Sequence, residues 1–198
     1  MRVTFVRHGE TEQNKFKIYG DPMKGDLSEL GRGQAKKLAK RLSKERFDII
    51  YCSPSTRTKE TLGEIIKFHQ NTPIVYTSEL RELEVGGLIG KIINVEDLRK
   101  LGKNFANFKP EGGESRLDLM NRVSNFLDYL FKKHKGEHML LVTHAGVSRI
   151  IKNIAENKLP EFISIDVGKQ NNCAVNILEF NKKGKPKLWL YNCTKHLK

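Results

Sequence analysis

The apolar run Val3–Val6 (VTFV) ends abruptly in Arg7-His8-Gly9, and this ending constrains the rest of the chain. A strand that only turns at the surface closes more often in Asn, Asp, Gly or Pro. The same punctuation recurs along the sequence. Phe47–Cys52 (FDIIYC) runs into Ser53-Pro54, with Arg57 in the next helical turn, and Ile74–Tyr76 is followed closely by Arg81-Glu82. Met139–Thr143 (MLLVT) runs straight into His144. Helical spacings lie between these runs. Ser28 can cap a helix with apolar positions Leu30, Ala35, Leu38 and Leu42. Ser55 or Thr56 starts a second helix through Leu62, Ile65, Ile66 and Phe68, and Ser115–Phe131 is a long amphipathic third. A further helix is expected from about Gly146 to Ala155, and Asn172–Phe180 with Lys187–Tyr191 reads as a hairpin around Asn181-Lys182-Lys183-Gly184. Strands alternating with helices predict a layered α/β domain with a mainly parallel sheet. In such sheets ligands bind at the carboxyl ends of the strands. Two histidines, two or three arginines and one glutamate therefore converge on one face.

Taken singly, each of these residues has an ordinary role: His8 in a turn, His144 as a helix cap, Arg57 on a solvated helix, Glu82 in a surface loop. Their joint placement and complementary chemistry point elsewhere. Two arginines can fork onto phosphate oxygens, a histidine can act as nucleophile or general base, and a carboxyl can donate a proton. Competing motifs fail on detail. GGLIGK (Gly86–Lys91) is too short for a phosphate loop and has Ile92 where Ser or Thr should bind magnesium. His8-Gly9-Glu10 has the H-x-E of zinc deaminases without a C-x-x-C, and no G-x-S-x-G elbow exists.

The chain has 198 residues, ordinary for one domain that needs neither disulfide nor metal for stability. Cys52, Cys173 and Cys193 are far apart, which argues against a zinc site, a redox motif or a secreted disulfide framework. Charge at Arg2 and Arg7 breaks any secretory apolar region, and no run approaches a membrane span. A cytoplasmic protein with no membrane partner is expected. The net charge of +13 either attracts anionic metabolites or reflects lysines on solvated helix faces. Those lysines scatter along the whole chain without an arginine-rich tract or interleaved aromatics, so no nucleic-acid partner is expected.

RHGETEQN (Arg7–Asn14) resembles the R-H-G-E-T-x-x-N opening of the histidine phosphatase superfamily, in the branch that includes cofactor-dependent phosphoglycerate mutase. The likeness extends through SPSTRTKET (Ser53–Thr61), LRELEVGGLIG (Leu80–Gly90), PEGGES (Pro110–Ser115) and VTHAG (Val142–Gly146). DLSELGRGQA (Asp26–Ala35) and the tail NCTKHL (Asn192–Leu197) are also similar to segments of that family. The resemblance implies a three-layer α/β/α sandwich formed by residues 1–198 as one domain, with a short lid insertion at about 83–113. It implies His8 as a nucleophile forming a phosphohistidine, Arg7, Arg57 and His144 around the phosphoryl group, and Glu82 as acid and base. Thr11, Asn14, Tyr19, Gly20 and Ala145 would be substrate-binding. Gly9 would leave room for phosphate, and a backbone carbonyl nearby could fix the tautomer of His8. No metal and no cofactor are implied.

Three positions depart from the pattern: Leu88-Ile89 in place of Trp-Glu, Ala145 in place of glycine, and Lys24-Gly25-Asp26 in place of a proline before Leu27. None touches the charged groups expected around phosphate. The leading expectation is a metal-independent phosphomonoesterase for a small phosphorylated metabolite, in a monomer or homodimer. A phosphoglycerate mutase, a phosphoprotein phosphatase and a non-catalytic basic binding protein are the alternatives. Between Leu83 and Lys109 there is room for one short helix near Val95–Leu101 and a turn bearing Phe105 and Phe108. Those aromatics would form lid core, or one would stack on a planar leaving group.

Overall fold

A computed structural model of the chain describes residues 1–100, 105–158 and 170–198. The strands β1 (Arg2–Arg7), β2 (Ile49–Cys52), β3 (Ile74–Tyr76), β4 (His138–Thr143), β5 (Val175–Phe180) and β6 (Pro186–Cys193) form one sheet in the order β3-β2-β4-β1-β5-β6. The β1–β4, β2–β4 and β2–β3 pairs are parallel, and β5 returns antiparallel to β1 with β6 closing a hairpin. Around the sheet lie α1 (Glu12–Phe16), α2 (Glu29–Leu42), α3 (Thr56–Ile65), α4 (Val95–Lys100), α5 (Arg116–Lys133) and α6 (Ala145–Ala155). The expected helix near Val95–Leu101 is α4; Leu101 lies outside the described residues.

The period of two in a strand sends successive side chains to opposite faces. Val3, Phe5, Tyr51, Met139 and Leu141 join the core beneath α5 and α6. Val6, Ile50, Cys52, Leu140 and Val142 join the core beneath α2 and α3. The result is the expected three-layer α/β/α sandwich with a mainly parallel sheet. One expected core position differs. Leu30 is 59% exposed, while Leu27, before the helix, is 3% exposed and packs in the core. The helix starts one residue after the Ser28 cap, whose hydroxyl accepts from the Gly31 N–H at 3.0 Å, and this rotates Leu30 outward.

The N-terminus of α2 is docked directly against the end of β1. The Ser28 N–H donates to the Glu10 carbonyl at 2.8 Å, and its hydroxyl donates to Glu10 Oε1 at 3.0 Å. Two glycines permit that approach. A Cβ on Gly31 would overlap the Glu10 carbonyl, and one on Gly9 would lie 2.6 Å from the Gly31 carbonyl oxygen. Gly9 therefore serves the packing of α2 against the end of β1.

Gly31→Ala should lower stability by about 1–3 kcal/mol through overpacking. Gly33→Ala, on the same helix with nothing within 4 Å, should instead raise it by about 0.5–1 kcal/mol. Urea unfolding midpoints of the two variants against the parent chain check this.

Candidate active site

Strands β1, β2 and β4 end side by side, and Arg7 at the end of β1, with residues of the segments that follow the three strands, lines a cavity of about 400 Å³. Its lining includes Arg7, the last residue of β1, and His8 directly after it, Arg57 from the first turn of α3, and Ala145 and Gly146 at the start of α6. His144, the residue capping α6, is fully buried beneath, its ring 5.2 Å from that of His8.

The hydrogen bonds of His8 define its tautomer. Nδ1 lies 2.7 Å from the carbonyl oxygen of Gly9, which only accepts, so Nδ1 carries the proton. Nε2 then holds the lone pair and accepts a long bond, 3.3 Å, from Arg57 Nε. Burial, and then the charges of Arg57 and Arg7, hold this imidazole well below its usual 6.5. His144 is held down in the same way by burial, Arg57, His8 and Arg7. Its Nε2 meets Ser53 Oγ at 2.8 Å, leaving the buried Nδ1 without a protein partner.

Arg57 is buried and Arg7 half-buried, and among the described residues no carboxylate pairs with either. Arg57 Nη1 donates to the carbonyls of Asp21, at 3.1 Å, and Lys24. Arg7 Nη1 donates to the Gln170 carbonyl. Burial, reinforced by Arg149 and Arg57, brings Arg7 down to about 10 against the pull of Glu82, and the group stays charged at neutral pH. Glu82 approaches from the opposite wall. Its carboxylate accepts from the Gly146 N–H at 3.0 and 3.1 Å and from the Leu83 N–H at 2.9 Å. A Cβ at position 146 would overlap that carboxylate, which accounts for the second residue after His144 being glycine. Arg122 of α5 steadies the loop that carries Glu82. It pairs with both oxygens of Glu114, at 3.0 and 2.8 Å, and donates to the carbonyls of Glu79 and Arg81.

The other anticipated positions divide. Thr11, Asn14, Tyr19 and Gly20 all line the cavity. Thr11 and Asn14 also satisfy one another as a capping box for α1, and Asn14 Oδ1 accepts from Asn172 at 3.0 Å. The Tyr19 strip is tied to the opposite rim, where its N–H donates to Lys91 and its carbonyl accepts from Gly90. Arg81 does not join the cluster: its Nε donates to the Ser78 carbonyl, away from the cavity. Phe105 is buried in the core beside α5, with the Arg116 guanidinium 3.6 Å above its ring, so that face is not available for a leaving group. Arg116, Arg149 and Asn153 also line the cavity, and the strand-end reasoning missed them. For Arg149 and Asn153 a signal was present: with Ala145 they fall at i, i+4 and i+8 on one helix face.

Among the described residues, no group of three His, Cys, Asp or Glu side chains is placed to hold a metal ion. No described helix is long and apolar enough to cross a membrane. A neutral imidazole flanked by two guanidinium groups, with a carboxylate across a small cavity, is suited to a phosphoryl group. The sequence profile of the histidine phosphatase superfamily (branch 1) matches residues 3–194, and the chain belongs to that superfamily. It is an enzyme of the phosphatase class. A probable phosphatase of Schizosaccharomyces pombe is 35% identical over 154 residues, spanning 77% of this chain and 72% of its own length. Phosphoserine phosphatase 1 of Hydrogenobacter thermophilus is 33% identical over 150 residues, spanning 73% and 71%. The solved structure of YhfR from Bacillus stearothermophilus superposes with a TM-score of 0.84 at 25% identity, covering 100% of this chain and 99% of that one.

His8 and His144 stay neutral in the folded protein well below 6.5 and regain ordinary affinity for protons once unfolded. Below pH 6.5 the unfolded chain therefore binds more protons, so the stability present above 6.5 is lost as pH falls further. Thermal unfolding should come at a lower temperature at pH 5.5 than at pH 7.5, and His8→Asn should shrink that difference.

Proposed function

We propose that the protein hydrolyses phosphate monoesters of small metabolites without a metal, through a phosphohistidine on His8. The observation that carries this is the state of His8: buried, neutral, with Nδ1–H held by the Gly9 carbonyl and the Nε2 lone pair facing the cavity beside Arg57. In the first step Nε2 attacks phosphorus and the ester P–O bond breaks. Glu82 gives its proton to the departing oxygen. In the second step the Glu82 carboxylate takes a proton from water, the water oxygen attacks phosphorus, and the P–N bond breaks to restore His8.

The clamp in this reading consists of Arg7, Arg57 and His144, with the Ala145 N–H at the start of α6 added by the helix terminus. The 3.3 Å bond from Arg57 Nε to His8 is readily exchanged for one to a phosphate oxygen. His144 donates Nδ1–H while its Nε2 accepts from Ser53. Asn14, Thr11, Tyr19 and Gly20 shape the substrate side of the cavity. Residues 1–198 act as one domain in this proposal, with about 83–113 as a short lid that admits water to the phosphohistidine. A hydrolase follows more naturally from that lid than a mutase. Relatives named as phosphoserine phosphatases make phosphoserine the first metabolite to assay.

With p-nitrophenyl phosphate, His8→Ala should abolish turnover and with it an acid-labile, base-stable phosphate label on the protein. Glu82→Gln should slow hydrolysis by roughly 10²–10⁴ for esters with poor leaving groups and less for p-nitrophenol. Equal losses for both would remove Glu82 from the acid role. Activity should persist in EDTA and be inhibited by vanadate; loss on chelation with recovery on one added metal would overturn the clamp.

A further inference from the structure

One phosphoryl group does not use all the positive charge in this cavity. Lys24 is paired with Asp21, and Arg7 and Arg57 face His8. Arg116 and Arg149 remain. Among the described residues neither forms an ion pair or a hydrogen bond, and Arg149 Nε is buried without a partner. Among the described residues the one carboxylate in the lining is Glu82, and it already accepts three backbone N–H bonds. Arg149 lines the same cavity as Arg7 and Arg116 and is near enough for its charge to act on both.

Their placement opposes local structure. Arg116 is the first residue of the 18-residue α5, where the helix dipole disfavours a cation and favours an acid. Stacking on Phe105 fixes the plane of its guanidinium and leaves its N–H edge unpaired. A second observation comes from α6. Asn153 is 0% exposed, lines the cavity on the same helix face as Arg149, and has both its amide oxygen and nitrogen unpartnered. A buried amide with neither atom bonded is costly in a resting protein and is relieved by a polar ligand.

We infer that the substrate carries a second anionic group on its leaving-group side, a carboxylate or a second phosphate, held by Arg116 and Arg149, with the Asn153 amide binding a neutral polar group beside it. The inference rests on the phosphatase reading above and narrows its substrate class. Arg116 and Arg149 are specificity residues in it, outside the bond-breaking step.

The test compares kcat/KM within matched pairs of esters. O-Phosphoserine against O-phosphoethanolamine differs by a carboxylate, as does 3-phosphoglycerate against glycerol 3-phosphate; fructose 1,6-bisphosphate against fructose 6-phosphate differs by a phosphate. The more anionic member of at least one pair should be favoured by about 10- to 100-fold, the scale of a charge-assisted bond. The pair that responds distinguishes carboxylate from phosphate. Arg116→Gln and Arg149→Gln should each bring that ratio toward unity, and Arg116→Lys should keep part of it. Hydrolysis without preference in any pair, or a preference unchanged in both glutamine variants, would overturn the inference alone. No hydrolysis of any ester, p-nitrophenyl phosphate included, would overturn the phosphatase reading and the inference with it.

Discussion

Two imidazoles and the Arg57 guanidinium are buried against one another at the carboxyl end of the sheet, with Arg7 half-buried beside them and, among the described residues, no carboxylate paired with either arginine. Burying an unpaired cation costs several kcal/mol, so this arrangement persists only where backbone carbonyls take up the donors. The carbonyls of Asp21, Lys24 and Gln170 do so here. Burial first, and then the same positive field, hold both imidazoles neutral. A neutral imidazole keeps its lone pair, and a field without a counter-ion favours a ligand that brings its own negative charge. The proposed nucleophile and the proposed clamp are thus two consequences of one electrostatic condition.

Glu82 must act beside that field without neutralising it. The fold achieves this by holding the carboxylate across the cavity on backbone N–H groups of Gly146 and Leu83. Its loop is fixed from behind by the Arg122–Glu114 pair and by the Thr143 hydroxyl, which donates to the Leu80 carbonyl at 2.9 Å. PEGGES, LRELE and VTHAG are remote in sequence, yet they meet within this network. The role expected of each segment therefore depends on the others. A change at Arg122 reaches the cavity through the position of Glu82 rather than through any contact with substrate.

The far wall has a different physical character. Arg116 lies over an aromatic ring and Arg149 beside an unbonded amide, with apolar neighbours such as Ile150 and Leu119 around them. A low-dielectric surround strengthens interactions with a charged ligand and raises the cost of leaving these groups bare. That balance is what the inferred preference for a doubly anionic ester rests on.

The strands, their order of polar endings and the helices between them were legible in the sequence because period and capping are local properties. β3 matches its expected bounds, Ser28 caps its helix as expected, and the second and third helices start within a residue of where the pattern placed them. Arg7, His8, Arg57, Glu82 and His144 could be named because parallel strands bring their carboxyl ends together. Side-chain direction was decided only in the tertiary structure. Gly9 serves a backbone contact with α2 that no local rule reveals, and the Ser28 cap sets a helix phase that turns Leu30 outward. Arg81 faces away from a cavity that its neighbour Glu82 enters. Arg116 and Arg149 are ordinary helix arginines until α5 and α6 are packed together. The sequence by itself determined which chemistry arrives at the strand ends; the packing of distant helices determined which charges stay unpaired around it, because pairing depends on neighbours that lie far apart along the chain.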